Sequence, residues 1–262
     1  MRAAAFSVVP PLVVAFGAAN GLGCRTKPHE PIRIAAASDL KVAFGQLGPA
    51  FEAKSGRKVS FSFGSTGLLS KQVKEGAPFD VFAAANVSYV DEVVSAGACD
   101  GATKTPYARG RLAIWSPERA GFAPPSSLED LADPRFARIS IANPDHAPYG
   151  KAAKAALEKA GVWDRVHDRI VKGENVEETL ELAQSGNVEA AIVAYSLVIH
   201  RSGGSFVMVD PTLHPAIDQA LVVCRHGADT EGGKLFAAFL SSDAGRTIMR
   251  DNGFLLPDDA SP

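Results

Sequence analysis

Cysteine is scarce in this chain, with three residues in 262, at positions 24, 99 and 224. That spacing leaves no CxxC pair for a zinc site and too few bridges for a disulfide-dense mini-fold. The six histidines (29, 146, 167, 200, 214 and 226) fall in no HxxH or HExxH pattern, which speaks against a metalloenzyme. Positive charge is not in surplus either: 27 Lys and Arg face 29 Asp and Glu, a formal net charge of −2. Nothing in that balance draws the chain onto nucleic acid. Also missing are a GxSxG elbow, a GxxxxGK[ST] loop and a GxGxxG turn opening a helix; Gly203-Gly204 has no phosphate-loop continuation. What is present is ordinary for a globular protein, 46% hydrophobic and 21% charged residues. Such a chain can bury a substantial core and is too apolar to stay disordered. Its length fits one large domain or two of ordinary size.

The N-terminus is unlike the rest. Arg2 precedes an uncharged stretch from Ala3 to Cys24, apolar through Ala19. Pro10 and Pro11 in its middle argue against a stable membrane-spanning helix. The stretch reads as an export signal, residues 1–24, followed by a polar tether, 25–31. Its small-residue ending, Asn20-Gly21-Leu22-Gly23-Cys24, loosely resembles a bacterial lipoprotein signal, which makes Cys24 a lipidation candidate. An ordinary cleaved secretory signal is the alternative.

From Ile32 onward, short apolar runs of strand length recur: 32–37, 58–63, 79–84, 111–115, 139–142, 190–195, 206–209 and 219–224. Runs this apolar suit strands covered on both faces. Helical patterns over 40–54, 68–75, 149–160 and 176–184 lie between them, and a long helical stretch closes the chain. The alternation predicts an α/β architecture, with a pause in the pattern at 105–115. Cys224 ends an apolar run and reads as buried packing; pairing with Cys99 stays open for an exported chain.

Four segments share one design, a strand end running into the first turn of a helix. They are Ala35-Ala36-Ala37-Ser38-Asp39, Gly64-Ser65-Thr66-Gly67, Asn143 to Gly150, and Gly173 to Glu178. Ser38 reads as an N-cap, Pro148 as an N1 residue leaving Tyr149 at N2, and Asn175 with Glu178 as a capping box. First-turn N–H groups lack intrahelical partners, and an anion suits both them and the helix dipole. Four such ends converging would make a neutral cage of donors for a small oxyanion. Each segment alone reads as simple helix capping. Asp39, His146 and Glu177 likewise read as dipole-complementing or capping residues before they read as acid–base catalysts.

Taken together and in order, AAAS (35–38), GSTG (64–67), GAPFDVFAAA (76–85), NPDHAPYG (143–150) and GENVEETLELAQSGNVEAAIVA (173–194) resemble the extracytoplasmic molybdate-binding proteins of ABC transporters. The resemblance runs from about Ile32 to Leu256 and implies a two-lobed periplasmic binding protein fold (type II). Each lobe would be a mixed sheet flanked by helices, with the ligand in the cleft between them. It implies a first lobe of 32–109 and 218–257, a second of 110–217, and a monomer that is no enzyme. The implied ligand is molybdate or tungstate, with no other cofactor and molybdenum bound only as the oxyanion. The implied partner is an inner-membrane ABC transporter permease, the location periplasmic or anchored to the membrane facing outward.

Carried over by position, Ser38, Ser65 and Thr66 would serve the ligand from the first lobe, Tyr149 and Val176 from the second through backbone N–H groups. Some members close the site with a tyrosine hydroxyl at the position of Ala194. Tyr195, one place on, faces the other side of a strand, so the Tyr149 phenol is the better substitute. Asp39 should turn its carboxylate away from a dianion and offer only its N–H. Facing inward, it would accept a hydrogen bond from a protonated oxyanion and favour phosphate. With no titrating donor, affinity is expected to stay flat from about pH 6.5 to 8.5. The competing readings are a binding protein for sulfate or phosphate, and an enzyme or a regulator's effector domain on the same fold.

Overall fold

The computed structural model describes residues 30–119 and 122–259. The signal segment, Cys24 and residues 25–29 of the tether lie outside the described residues. The strands of the first half are β1 (Ile32–Ala37), β2 (Val59–Gly64), β3 (Val81–Ala84), β4 (Thr105–Gly110) and β5 (Leu112–Pro117). The remainder are β6 (Ile139–Ala142), β7 (Ile170–Gly173), β8 (Ala190–Ala194), β9 (Gly204–Met208) and β10 (Ile217–Val223). The helices of the first half are α1 (Lys41–Ser55), α2 (Thr66–Lys74) and α3 (Val87–Ser95). After them come α4 (Pro148–Lys159), α5 (Trp163–Val166), α6 (Val176–Gln184), α7 (Thr230–Leu240) and α8 (Asp243–Asp251).

Two five-stranded sheets result, in the orders β2-β1-β3-β10-β4 and β7-β6-β8-β5-β9. They follow one plan. A parallel trio, β2-β1-β3 or β7-β6-β8, is extended by a strand antiparallel to its neighbours on both sides, β10 or β5. Only Arg111 separates β4 in one sheet from β5 in the other, and the chain returns between β9 and β10. These two crossings join two α/β lobes. The loops at the carboxyl ends of the parallel strands run into α1, α2, α4 and α6, the place where open α/β sheets generally hold their ligands.

Burial explains the element order. Five of the six residues of β1 are buried, and α1 covers the sheet with Ala43, Phe44, Leu47 and Phe51. Phe44 and Phe51 each meet the edge of Phe236 from α7, with ring centroids 5.6 and 5.5 Å apart. Such pairs add to the burial of their area. Gly48 lies under the Phe61 ring, where even a Cβ would come within 2.9 Å, so the aromatic cluster needs a glycine on that face.

Three expectations change. The stretch 105–115 is no pause but the crossing itself, β4 running almost directly into β5. Arg109, Gly110 and Arg111, which blur its pattern, lie where the chain passes from one sheet to the other. Ile170–Gly173 is an edge strand, β7, whose partial exposure hides the apolar signal of a buried strand. Cys224 is buried, yet also joined to Cys99 by a disulfide. An isolated antiparallel bridge pairs the two residues, flanked by the bonds Asp100 N–H to Val223 O and Arg225 N–H to Ala98 O. A contact spanning 125 residues leaves no local trace in the sequence.

Candidate functional site

One cavity lies where the strand ends of the two lobes meet. Ser38, Asp39, Ser65 and Thr66 line it from the first lobe, and Tyr149 and Val176 from the second. Small neighbours, among them Ala37, Gly64, Ala85 and Ala147, complete the wall and let the backbone come close. The space between atoms is about 190 Å³, part of it open to solvent. Its enclosed part is about 10 Å³, far below the roughly 300–1,000 Å³ of pockets for drug-sized organic ligands, so this one suits only a very small ligand. No lysine, arginine or histidine lines it.

Local geometry sets what each residue can offer. Ser38 does not cap: the residue before the 3-10 turn Ser38–Leu40 is Ala37, and the turn has no side-chain cap. The Ser38 hydroxyl is thereby left free to face a ligand. Thr66, the first residue of α2, accepts a 3.2 Å bond from Ala85 N–H at Oγ1, which leaves its own proton to donate. Ser65 lines the same wall, but its hydroxyl reaches the carbonyl oxygen and the Nδ1 of His146, both at 2.8 Å. A hydroxyl has one proton to give. With Nδ1 donating to Oγ, that proton goes to the carbonyl, and Ser65 serves closure of the lobes.

The second lobe offers backbone. Ala147 cannot cap α4 with a side chain and Pro148 stands at N1, so the Tyr149 N–H at N2 has no intrahelical acceptor. At α6 the Asn175 side chain accepts from Glu177 and Glu178, leaving the N–H of Val176 at N1. The expected capping box is therefore half made: Glu178 accepts from Glu174 N–H and not from Asn175.

Both tyrosine hydroxyls considered for the site lie elsewhere. Tyr195 opens a 3-10 turn away from the cavity, its ring under the Arg111 guanidinium at 4.6 Å and against Phe206. The strand ends at Ala194, so alternation no longer governs where Tyr195 goes. The Tyr149 phenol donates to Asp39 Oδ2 at 3.0 Å, which removes it as a donor to the ligand.

Asp39 turns one oxygen toward the hinge, but its carboxylate is not in water. It is fully buried; Oδ2 accepts from Tyr149 and from Gln219 Nε2 at 2.6 Å, while Oδ1 has no partner. Burial pushes its carboxyl up to about 6, and the bonds from Gln219 and Tyr149 pull only part of the way back. Burial, with the Asp39 charge behind it, holds the phenols of Tyr107 and Tyr149 well above the usual range. Gln219 went unnoticed in the sequence, although a fully buried glutamine in an apolar strand is a visible sign of a polar contact.

The lobes touch all around the cavity. Gly67 N–H donates to His146 O at 3.0 Å, Ser196 Oγ donates to Asp39 O at 2.8 Å, and Lys151 reaches the Tyr89 hydroxyl at 3.0 Å. Lys41 pairs with Glu177 across the mouth. Glu177 and His146 are thus closure residues, with no substrate-facing geometry that would make them acid or base. Among the described residues no cluster of His, Cys, Asp or Glu could hold a bare metal ion, and no helix is long and apolar enough to cross a membrane.

Comparison with known proteins agrees with this arrangement. The family model for bacterial extracellular solute-binding proteins matches residues 32–255. The molybdate-binding protein ModA of Rhodobacter capsulatus is 32% identical over 238 residues, covering 90% of this chain and 92% of that protein. ModA of Azotobacter vinelandii is 31% identical over 250 residues, with 93% and 96% covered. Among solved structures, the Azotobacter vinelandii periplasmic molybdate-binding protein superposes with a TM-score of 0.79 at 25% identity, covering 86% of this chain and 99% of that one. The sulfate-binding protein SubI of Mycobacterium tuberculosis shares the fold, with a TM-score of 0.73 at 18% identity over 88% of each chain. With its cleft, its crossings and a family match over the whole folded region, the chain belongs to the bacterial extracellular solute-binding proteins.

Proposed function

We propose that the cavity captures molybdate or tungstate as the dianion, and that the closed, loaded protein presents it to an inner-membrane ABC transporter permease. One observation carries the reading: a small cavity faced by hydroxyl and N–H donors from both lobes, with no cationic side chain. Such a wall recognises an oxyanion by hydrogen bonds in a dry site, where charge-assisted bonds are strong. Ser38 and Thr66 give hydroxyls, Tyr149 and Val176 give N–H groups, and Ser65 holds the lobes together. The similarity to proteins named for molybdate supports the choice of anion. The protein acts as an exported monomer, periplasmic or held through Cys24 at the outward face of the membrane, with no catalytic step and no nucleic acid partner.

Calorimetric titration of the mature protein with molybdate, tungstate, sulfate and phosphate tests this. Molybdate and tungstate are expected to bind together at the top. Sulfate and phosphate follow well behind, being too small to reach donors on both sides of the cleft at once. Phosphate or sulfate binding tighter than molybdate overturns the assignment.

A further inference from the structure

Asp39 is the one acidic side chain lining a cavity otherwise faced by neutral groups. Its carboxylate is fully buried and Oδ1 has no hydrogen-bond partner, an arrangement that is costly for a charged group. Its polar partners come from four elements, and the Ser38–Leu40 turn also packs against α1, α6 and β2, whose Lys41 and Glu177 pair with each other. Tyr149 comes from α4, Gln219 from β10, the Tyr107 phenol from β4, and Ser196 on the backbone oxygen from the turn after β8. None is a cation, and neither phenol ionises near neutrality. No cationic side chain lining the cavity therefore compensates a second negative charge brought beside Asp39 in this low-dielectric space.

Resting on the oxyanion reading above, we propose that capture is proton-linked: the dianion enters together with one proton from solvent, held on the Asp39 carboxyl. The proton satisfies Oδ1 as an O–H and turns the one repelling wall into a neutral one. Mass balance is simple: unloaded protein with Asp39 charged, plus dianion, plus one proton, gives the closed complex with Asp39 neutral. With the lobes closed, burial pushes this carboxyl up to about 6, so closure itself favours taking the proton. This replaces the flat pH profile expected from the donors alone.

The test is titration of the mature protein with sodium molybdate at pH 7.5 in buffers of different ionisation enthalpy. Uptake of about one proton per anion is expected, and affinity should fall about tenfold per pH unit from pH 7 to 8.5. Asp39→Asn should abolish both the buffer dependence and the slope, and should bind molybdate tighter than the wild type at pH 8.5. A residue serving only the architecture would lower affinity at every pH and leave the slope unchanged. Molybdate binding by the wild-type protein without proton uptake overturns the linkage and leaves the oxyanion reading standing, whether or not the variant folds. No binding of molybdate overturns the molybdate assignment; the same buffers with tungstate and sulfate then decide the linkage, and silence with all three overturns both.

Discussion

The two sides of the cavity use different chemistry. The first lobe presents side-chain hydroxyls, Ser38 and Thr66, on turns that leave them uncommitted to capping. The second presents the backbone of α4 and α6, where an alanine N-cap leaves the Tyr149 N–H open and the Asn175 side chain, taken up by Glu177 and Glu178, leaves that of Val176. One side can be removed atom by atom; the other changes only if a helix moves. On the oxyanion reading proposed above, selectivity is tuned on the first lobe and the second supplies a backbone surface that side-chain changes leave in place.

The sharpest way to break that relation is to stop the sides from meeting. A Cβ on Gly67 would lie 2.6 Å from His146 O, an atom of the opposite lobe. Gly67→Ala should block closure and lower molybdate affinity about 100-fold or more, with the unloaded melting temperature little changed. Unchanged affinity by calorimetry would mean that the contact with the His146 loop is dispensable.

Next in size is the buried carboxylate of Asp39 in the cavity wall. The folded pKa of Asp39 is raised, so its contribution to stability is complete below the unfolded value of 3.8 and is lost as pH rises through about 6. The protein with its lobes closed should therefore lose roughly 2 kcal/mol between pH 4 and 8 from this group. Asp39→Asn should flatten that part of the profile in denaturant titrations; an identical profile would place the stability change elsewhere.

Single hydroxyls come third. Ser38→Ala and Thr66→Ala each remove a charge-assisted bond of about 1.5–3 kcal/mol, so affinity should fall roughly 10- to 100-fold. Ser65→Ala should act differently, because its hydroxyl holds His146: closure weakens while the anion keeps its contacts. Small-angle scattering would show this as a greater share of open particles at subsaturating molybdate. Smallest is Lys41→Ala, which removes an interlobe pair whose lysine is half-exposed. Exposed pairs contribute under about 1 kcal/mol, so affinity should change by less than about fivefold and less still at high salt.

The same contrast explains what the sequence made legible. Buried strands and capped helices follow local rules, so β1, β6 and α6 have the bounds that the apolar runs and cap residues indicate. The cavity wall was legible as motifs because strand-to-helix turns carry their chemistry within five residues. What stayed hidden depends on contacts between distant segments. The Tyr149 phenol could be placed only once Gly110 and Gln219 were known to crowd it; a Cβ at Gly110 would lie 2.1 Å from that hydroxyl. The role of Ser65 required His146, 81 residues away, and the Cys99–Cys224 disulfide required β10 to return beside β3.

The most direct test of the account is a crystal structure of the mature protein grown with molybdate. The expected result is one tetrahedral anion between the lobes, its oxygens within hydrogen-bond distance of Ser38 Oγ, Thr66 Oγ1 and the N–H groups of Tyr149 and Val176, with Ser65 still on His146. An anion bound through one lobe alone, or lying outside this cavity, would contradict it.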